Sequence, residues 1–398
     1  MAGPLTAVGG RLLAELGADV IVVEPITGSP VRSRPPFADD VAHPDRSLRW
    51  WAGNAGKRSV RIDLDSEDGP ARLRALIATA DVVLEGDRRP LEAVACDFAT
   101  CSTADPALIW ISVTPFGRES ARADDPATDL TLQSGSGPVW NCGYDDHTVP
   151  PMHGGGEQSV NVAGLYCAIG AMVALAQRDQ SGRGQLVDVS ATAAGNVTSE
   201  QVTYHWLLNQ DVCVRQTGRH AYPVLTAPVQ VRCADGRYVT TGVLPRSPAQ
   251  FAAVRAWLDE LGVADELPEA FFLDLAAARD SDVDLAVIGH DPETTAILSA
   301  ARDAITLIAS RVPADEFYLT SQRRGFPAGA VLSPDEAFED EHLAARGFPV
   351  AVEHPELGRT VRYPGTPYVF SATPTAIQRR APLLGEHDAL LDDLAASP

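Results

Sequence analysis

Leu12-Leu13-Ala14-Glu15-Leu16-Gly17-Ala18-Asp19-Val20-Ile21-Val22-Val23-Glu24-Pro25 decides the fold of this chain. From Leu5 to Leu16 apolar residues recur at helical spacing, and Gly17 stands where a helix C-terminus is capped. Ala18 to Val23 is then a short apolar, largely β-branched run, the pattern of a strand buried on both faces of a parallel sheet. The pattern recurs. Ser66 to Ala78 reads as a helix with Ser66, Glu67 and Asp68 at its start, followed by the strand Ala80-Asp81-Val82-Val83-Leu84. Leu108 to Val113 and Leu186 to Ser190 are two more strands. Helices alternating with short Val/Ile runs predict a doubly wound α/β sheet.

Gln158 to Gln177 reads as a long helix rich in Ala and other small residues, preceded by Gly154-Gly155-Gly156 and followed by Ser181-Gly182-Arg183-Gly184. A helix apolar on nearly every face is expected in a core. From about Asn196 the character changes. Val229 to Arg232 and Tyr238 to Thr241 flank Asp235-Gly236, which predicts a β-hairpin. Amphipathic helices follow around Pro248–Leu261 and Thr295–Arg311. The expected organisation is a large α/β domain over 1–195, a smaller α+β domain over 196–328, and a Pro- and Gly-rich C-terminal segment over 329–398.

The chain has 398 residues, 45% of them hydrophobic, which suffices for a substantial core. No uninterrupted apolar run reaches the roughly 18–20 residues of a membrane span, and Met1-Ala2-Gly3-Pro4 does not open a signal peptide. The net charge of -21 disfavours nucleic-acid and membrane-surface partners. An anionic ligand would therefore need a local cluster of positive charge. Arginine dominates the cations, and Lys57 is the sole lysine. The six cysteines form no C-x-x-C pair and are expected as reduced thiols in the cytoplasm, with no metal site. P-loop, zinc-protease and nucleophile-elbow signatures are absent, and the Gly-rich stretches are expected in turns and close packing.

One ordered series is more specific. After Leu16 to Pro25 come Gly28 and Arg32, then Asn54-Ala55-Gly56-Lys57-Arg58-Ser59-Val60 leading to Asp63-Leu64. Ala80 to Glu85, Phe116-Gly117 and Pro126-Ala127-Thr128-Asp129-Leu130 follow, then Ala163-Gly164-Leu165-Tyr166 and Gly182-Arg183-Gly184-Gln185. Ala345-Arg346-Gly347-Phe348 and Ala381-Pro382-Leu383-Leu384-Gly385-Glu386-His387 close the series. In order and over nearly the whole chain, it resembles the family III CoA-transferases of the CaiB/BaiF type, which include formyl-CoA transferase and α-methylacyl-CoA racemase. The resemblance implies a Rossmann-like, CoA-binding large domain, a small middle domain, a C-terminal segment returning to the large one, and an interlocked dimer. It implies a protein that binds acyl-CoA and moves CoA between carboxylic acids, with coenzyme A as substrate and no covalently bound cofactor. Arg32, Lys57 and Arg58 match basic positions near the nucleotide part of CoA, where guanidinium groups suit phosphate, and Arg88 is a further candidate contact to CoA.

The chain departs from the pattern at four places. The family nucleophile is an Asp four residues before the Gly of Ala-Gly-Leu-Tyr, and that position holds Val160. An Asp there would carry the acyl group as a mixed anhydride, which Val cannot do. Glu157 is the nearby candidate catalytic carboxylate; if the helix includes it, it shares a face with Val160. Its bland role is to complement the helix dipole. The racemase His position holds Thr128, so racemase activity is not expected, and Asp129 is expected to anchor a local turn. The family's Asn-Phe-Arg-Pro-Gly is Gly86-Asp87-Arg88-Arg89-Pro90 here, with Arg88 keeping a basic role. The family also has a strand before Ala-Gly-Pro, so Met1 is expected to correspond to an internal Met, with a central strand missing.

The readings that follow are a CoA-transferase using Glu157, a non-catalytic subunit partnered by an Asp-bearing homologue, or other acyl-CoA chemistry such as a lyase or hydrolase. The expected partners are acyl-CoA, a small carboxylic acid and a second chain, in a homodimer or a heteromer. Arg219, His220 and Tyr222, in a stretch resembling the family's, are candidates to approach the site from the middle domain.

Overall fold

The computed structural model describes residues 3–224, 226, 229–242, 244–284 and 291–396. They divide into two compact units, one of Met1–Cys142, Met152–Tyr204 and Phe338–Pro398, the other of Gly143–Pro151 and His205–Ala337.

The first unit carries five parallel-paired strands: β1 (Ile21–Glu24), β2 (Arg58–Arg61), β3 (Val82–Glu85), β4 (Ile109–Thr114) and β5 (Leu186–Ser190). The α/β class holds, but the strands form two ladders rather than one sheet. β1 pairs with β2, and β4 lies between β3 and β5. Among the described residues β1 and β3 do not pair with each other. A cavity of about 520 Å³ runs along them, lined by Val20 to Val23, Val82 to Leu84 and Gly10 of the first helix.

Every residue of β4 is buried, and its alternation builds both core layers. Ile109, Ile111 and Val113 face a cluster with Leu5, Leu13, Ala163, Cys167 and Ala171, contributed by the helices Pro4–Glu15 and Gln158–Ser181. Trp110 faces the opposite cluster with Leu73, Leu76 and Ile77 of the helix Gly69–Ile77 and with Leu391 near the C-terminus. Gly17 ends the first helix as its sequence predicts: at φ 103°, its N–H donates to Ala14 O, and Ala18 N–H reaches back to Leu13 O.

The long helix differs from its sequence expectation. It buries one face, through Ala163, Gly164, Cys167, Ala168, Ala171 and Ala174, while Leu165, Ile169, Met172 and Val173 on the other are exposed. By length and composition it is long and apolar enough to cross a membrane, an exception to the membrane-span expectation that its polar interruptions hide. Small residues set its distance to the first helix. A Cβ at Gly164 would lie 2.6 Å from Val8 Cβ, and one at Gly9 would lie 2.8 Å from Cys167 Cβ.

The C-terminal segment of this unit is a hairpin of Pro349–His354 and Arg359–Pro364 and a stretch that folds onto β2. There His387 N–H donates to Ser59 O at 2.9 Å, and Asp388 receives the Arg61 N–H and guanidinium at 2.7–2.8 Å. The second unit has a three-stranded antiparallel sheet with Tyr238–Thr241 between Gln230–Arg232 and Ala328–Ala330. Its helices Pro248–Glu260, Phe271–Ala277, Pro292–Arg311 and Ala314–Arg323 enclose Phe251, Trp257, Leu258, Leu273, Ile297, Ile308 and Phe317. The Asp235-Gly236 turn forms as expected, with Gly236 at φ 84°.

Gly164→Val forces the two helices apart and is expected to cost about 1–3 kcal/mol, the range for overpacking a tight seam. Gly182→Ala, at the open C-terminus of the same helix with φ 69°, meets no atom within 4 Å and costs only the backbone strain, roughly 1–2 kcal/mol. Chemical denaturation of both variants checks the order; an unchanged Gly164→Val midpoint contradicts the seam.

Candidate functional site

A cleft of about 690 Å³ opens in the first unit where the chain leaves the carboxyl ends of β3 and β4. Ligands of open parallel sheets bind in such crevices. Gly86 to Arg89 line it after β3, and Thr114-Pro115 after β4. Asp129, Gly154 to Glu157 and Val160 close it from the starts of two helices.

Those helix starts are tied together by one carboxylate. Thr128 caps the helix Asp129–Ser136 through the Thr131 N–H. Asp129, the first residue of that helix, accepts Gln133 Nε2–H at 2.6 Å and the backbone N–H of Val160 at 3.2 Å. Gln133 also holds Gly154, donating to its carbonyl at 3.0 Å and accepting its N–H at 3.1 Å. Asp129 thus anchors the Gly-rich turn to the long helix, while the hydroxyl of Thr128 is engaged as a cap.

Glu157 is not inside the long helix. It is the N-cap, in left-handed conformation at φ 56°, ψ 48°, and the helix begins at Gln158. The shared-face condition with Val160 is therefore not met, although both residues line the cleft. The Glu157 carboxylate is ion-paired with Arg49 and lies 3.9 Å from Arg34 Nη1. Arg49 is oriented by its Nε–H, which donates to Pro35 O at 2.8 Å. Arg88 lies 3.4 Å from Asp124 and 3.7 Å from Glu92, and Arg89 pairs with Asp87 at 3.1 Å. Four arginines thus line one cleft of a strongly acidic chain. Among the described residues no group of three or more His, Cys, Asp or Glu is placed to hold a metal ion.

The sequence model of CoA-transferase family III matches residues 1–388. The chain is 31% identical to the succinyl-CoA:(R)-benzylsuccinate CoA-transferase subunit BbsE of Thauera aromatica, over 97% of this chain and 89% of that one. It is 29% identical to the succinate–glutarate CoA-transferase of Agrobacterium fabrum, over 98% and 91% of the two chains. Identity to the beta subunit of the succinyl-CoA–L-malate CoA-transferase of Chloroflexus aurantiacus is 28%, over 94% and 87%. The crystal structure of a CaiB/BaiF family protein from Brucella suis shares the fold, with a TM-score of 0.78 at 24% identity over 98% and 95% of the chains. The chain belongs to CoA-transferase family III.

In this family III chain the basic residues singled out from the sequence occupy different environments. Arg88 lines the cleft. Arg32 is buried at 1% exposure, with Nε and Nη2 on Glu24 at 2.7 and 2.8 Å, Nη1 on Asp45 at 2.8 Å, and its guanidinium 3.7 Å from the Trp50 ring centroid. Lys57 is buried with Nζ 2.8 Å from Ala7 O and from Asn54 Oδ1, and it lines the cavity between β1 and β3. Burial lowers its pKa to about 7. Arg58, at the start of β2, is paired with Asp19, just before β1. Arg219 pairs with Asp145 and, with His220 and Tyr222, lies on a strand of the second unit. Arg34 and Arg49 escape a sequence reading because no motif marks them. The only signal is their position, two residues after Arg32 and one before Trp50.

Arg32→Met leaves Glu24 buried without its cation and is expected to cost about 3–5 kcal/mol of stability. Arg58→Met removes a partly exposed pair and is expected to cost no more than about 1 kcal/mol. Denaturant titration of the two variants measures the contrast; equal losses contradict it. Lys57 supplies a pH test. The folded state releases this proton near pH 7 and the unfolded chain near 10.5. Between these values the unfolded state binds more protons, so this group makes stability rise with pH. The difference in thermal midpoint between wild type and Lys57→Met is expected to widen in favour of wild type from pH 7 to 10; a constant difference refutes the depressed pKa.

Proposed function

We propose that this chain binds acyl-CoA in the cleft and serves CoA transfer between carboxylic acids as one subunit of a transferase whose homologous partner chain supplies the nucleophilic Asp. The observation that carries the reading is Val160. It lines the cleft at the family's nucleophile position, and its backbone N–H is already bonded to Asp129. The nearest alternative, Glu157, is held by arginine. An ion-paired carboxylate is a weaker nucleophile than a free one, because attack on a thioester must first give up that pairing.

Three further observations support the reading. The relatives from Thauera aromatica and Chloroflexus aurantiacus are named as subunits. The exposed Leu165, Ile169, Met172 and Val173 form an apolar stripe on the long helix, of the kind that a partner chain covers. Arg88 and Arg89 sit at the start of the short helix Arg89–Ala93 after β3 with acidic partners that are themselves exposed, so a phosphate group of CoA can take their place. In this reading Arg32, Lys57 and Arg58 keep the ground under the CoA site in shape, and CoA acts as substrate with no covalently bound cofactor. We place the complex in the cytoplasm, which suits six free cysteines.

A second reading, in which Glu157 itself carries the acyl group, is favoured by its place in the same cleft. Exchange assays separate the two. The purified chain is expected to bind CoA yet show no exchange of CoA between succinyl-CoA and labelled succinate until an Asp-bearing homologue is added. Hydroxylamine, which cleaves acyl anhydrides, is then expected to mark the homologue alone. Turnover by this chain by itself, with the hydroxamate on Glu157, overturns the subunit reading and establishes the second.

A further inference from the structure

We propose that Arg49, assisted by Arg34, is a carboxylate clamp that binds the distal carboxylate of a dicarboxylic acyl group, and that Glu157 occupies the clamp until substrate displaces it. The inference rests on the acyl-CoA reading and names the class of acyl group.

Three features of the cleft carry it. First, Arg49 is held at one end and open at the other. Its Nε–H is spent on Pro35 O, while its Nη1 faces Glu157 in the cleft and its side chain is 39% exposed. A guanidinium fixed in this way offers a planar fork to one carboxylate. Second, Arg34 is underemployed. Its nearest carboxylate oxygen is that of Glu157 at 3.9 Å, beyond hydrogen-bond distance, and its side chain is 53% exposed. A carboxylate with more freedom than Glu157 can satisfy both arginines. Third, the resident carboxylate sits on a strained support. Glu157 adopts a left-handed backbone, which costs a non-glycine residue roughly 1–2 kcal/mol. Its half-exposed ion pair adds little to hold it there.

The chemistry of the occupant indicates what replaces it. The Glu157 carboxylate ends a chain of two methylenes, as does the free carboxylate of a succinyl thioester. Such an acyl group presents the same charge on the same tether from the opposite side of the cleft. A monocarboxylic acyl group of equal length brings no anion to the clamp and leaves Glu157 in place. Exchange of one carboxylate for another conserves the charge of the cleft, so discrimination comes from geometry: the incoming group engages both arginines where Glu157 engages one.

Isothermal titration of the purified chain with CoA, butyryl-CoA and succinyl-CoA tests this, since the last two differ only in the distal carboxylate. Wild type is expected to bind succinyl-CoA at least about tenfold more tightly than butyryl-CoA, the lower end of what a charge-assisted pair contributes. Arg49→Gln is expected to bring succinyl-CoA down to the butyryl-CoA level, and Arg34→Gln to erase part of the difference. Glu157→Gln, which removes the competitor, is expected to strengthen succinyl-CoA alone. Equal binding of the two thioesters by wild type overturns the clamp. So does an Arg49→Gln variant of unchanged thermal midpoint that loses CoA, butyryl-CoA and succinyl-CoA equally, because Arg49 then contacts a phosphate. If wild type binds none of the three, the acyl-CoA reading fails and the clamp fails with it.

Discussion

The buried pair of Glu24 and Arg32 is the joint on which the first unit turns. Glu24 ends β1 and accepts the Ser29 N–H at 2.9 Å, the Ser59 hydroxyl at 2.6 Å, and two guanidinium nitrogens of Arg32. Arg32 in turn stacks on Trp50 and donates to Pro382 O at 3.1 Å, and the Trp50 indole N–H donates to the same carbonyl at 3.0 Å. Five stretches of chain meet there: β1, the turn over 29–32, the helix that carries Trp50, β2 and the returning C-terminal segment. A charge pair taken out of water is tolerable only when its remaining donors and acceptors are satisfied, and here each has a partner. Because the pair fixes the turn after β1 and the helix that carries Trp50, it also fixes Arg34 and Arg49. These flank Arg32 and Trp50 in sequence and project into the cleft instead of the core.

That alternation explains which parts of the molecule are legible in the sequence. The strands are, since burial on two faces writes uninterrupted Val/Ile runs: Leu186 to Ser190 appears at its predicted bounds, and β1 within a few residues of them. Motif residues such as Arg32 and Lys57 are conspicuous in sequence, but a motif records that a residue type is required and not whether it faces solvent or core. Lys57 shows the limit. Its lone charge stands out in the sequence, but the sequence does not show that the fold surrounds it with Ala7 O and Asn54 and lowers its pKa to about 7. The environment of Glu157 was illegible for another reason. Three glycines precede it, and the position where a helix takes up its first turn after such a stretch is set by tertiary bonds, here those of Asp129 and Gln133. With Glu157 one residue outside the helix and in left-handed conformation, the face it would share with Val160 at helical spacing is not formed.

The long helix makes the same point about patterning. Apolar residues around its whole circumference read as a core helix, yet only the small ones are inside. Ala and Gly pack against the first helix because its backbone comes within contact of Gly164, and the large residues are thereby turned outward. The second apolar face of the long helix, Leu165, Ile169, Met172 and Val173, is left exposed by this chain.

Val160 shares its cleft with four arginines. A chain of net charge -21 repels a CoA thioester at long range unless a local field reverses the sign. Arg34, Arg49, Arg88 and Arg89 supply that field, and each is already facing a carboxylate of the same chain. Under the proposed binding of acyl-CoA these internal counter-charges would be exchanged for those of the ligand, so the gain is the difference between two pairings and not the whole of one. An Asp at position 160 would add another anion beside Asp129, whose carboxylate already accepts the Val160 N–H. Valine there avoids that repulsion, and in the reading proposed above the bond-making carboxylate belongs to a second chain.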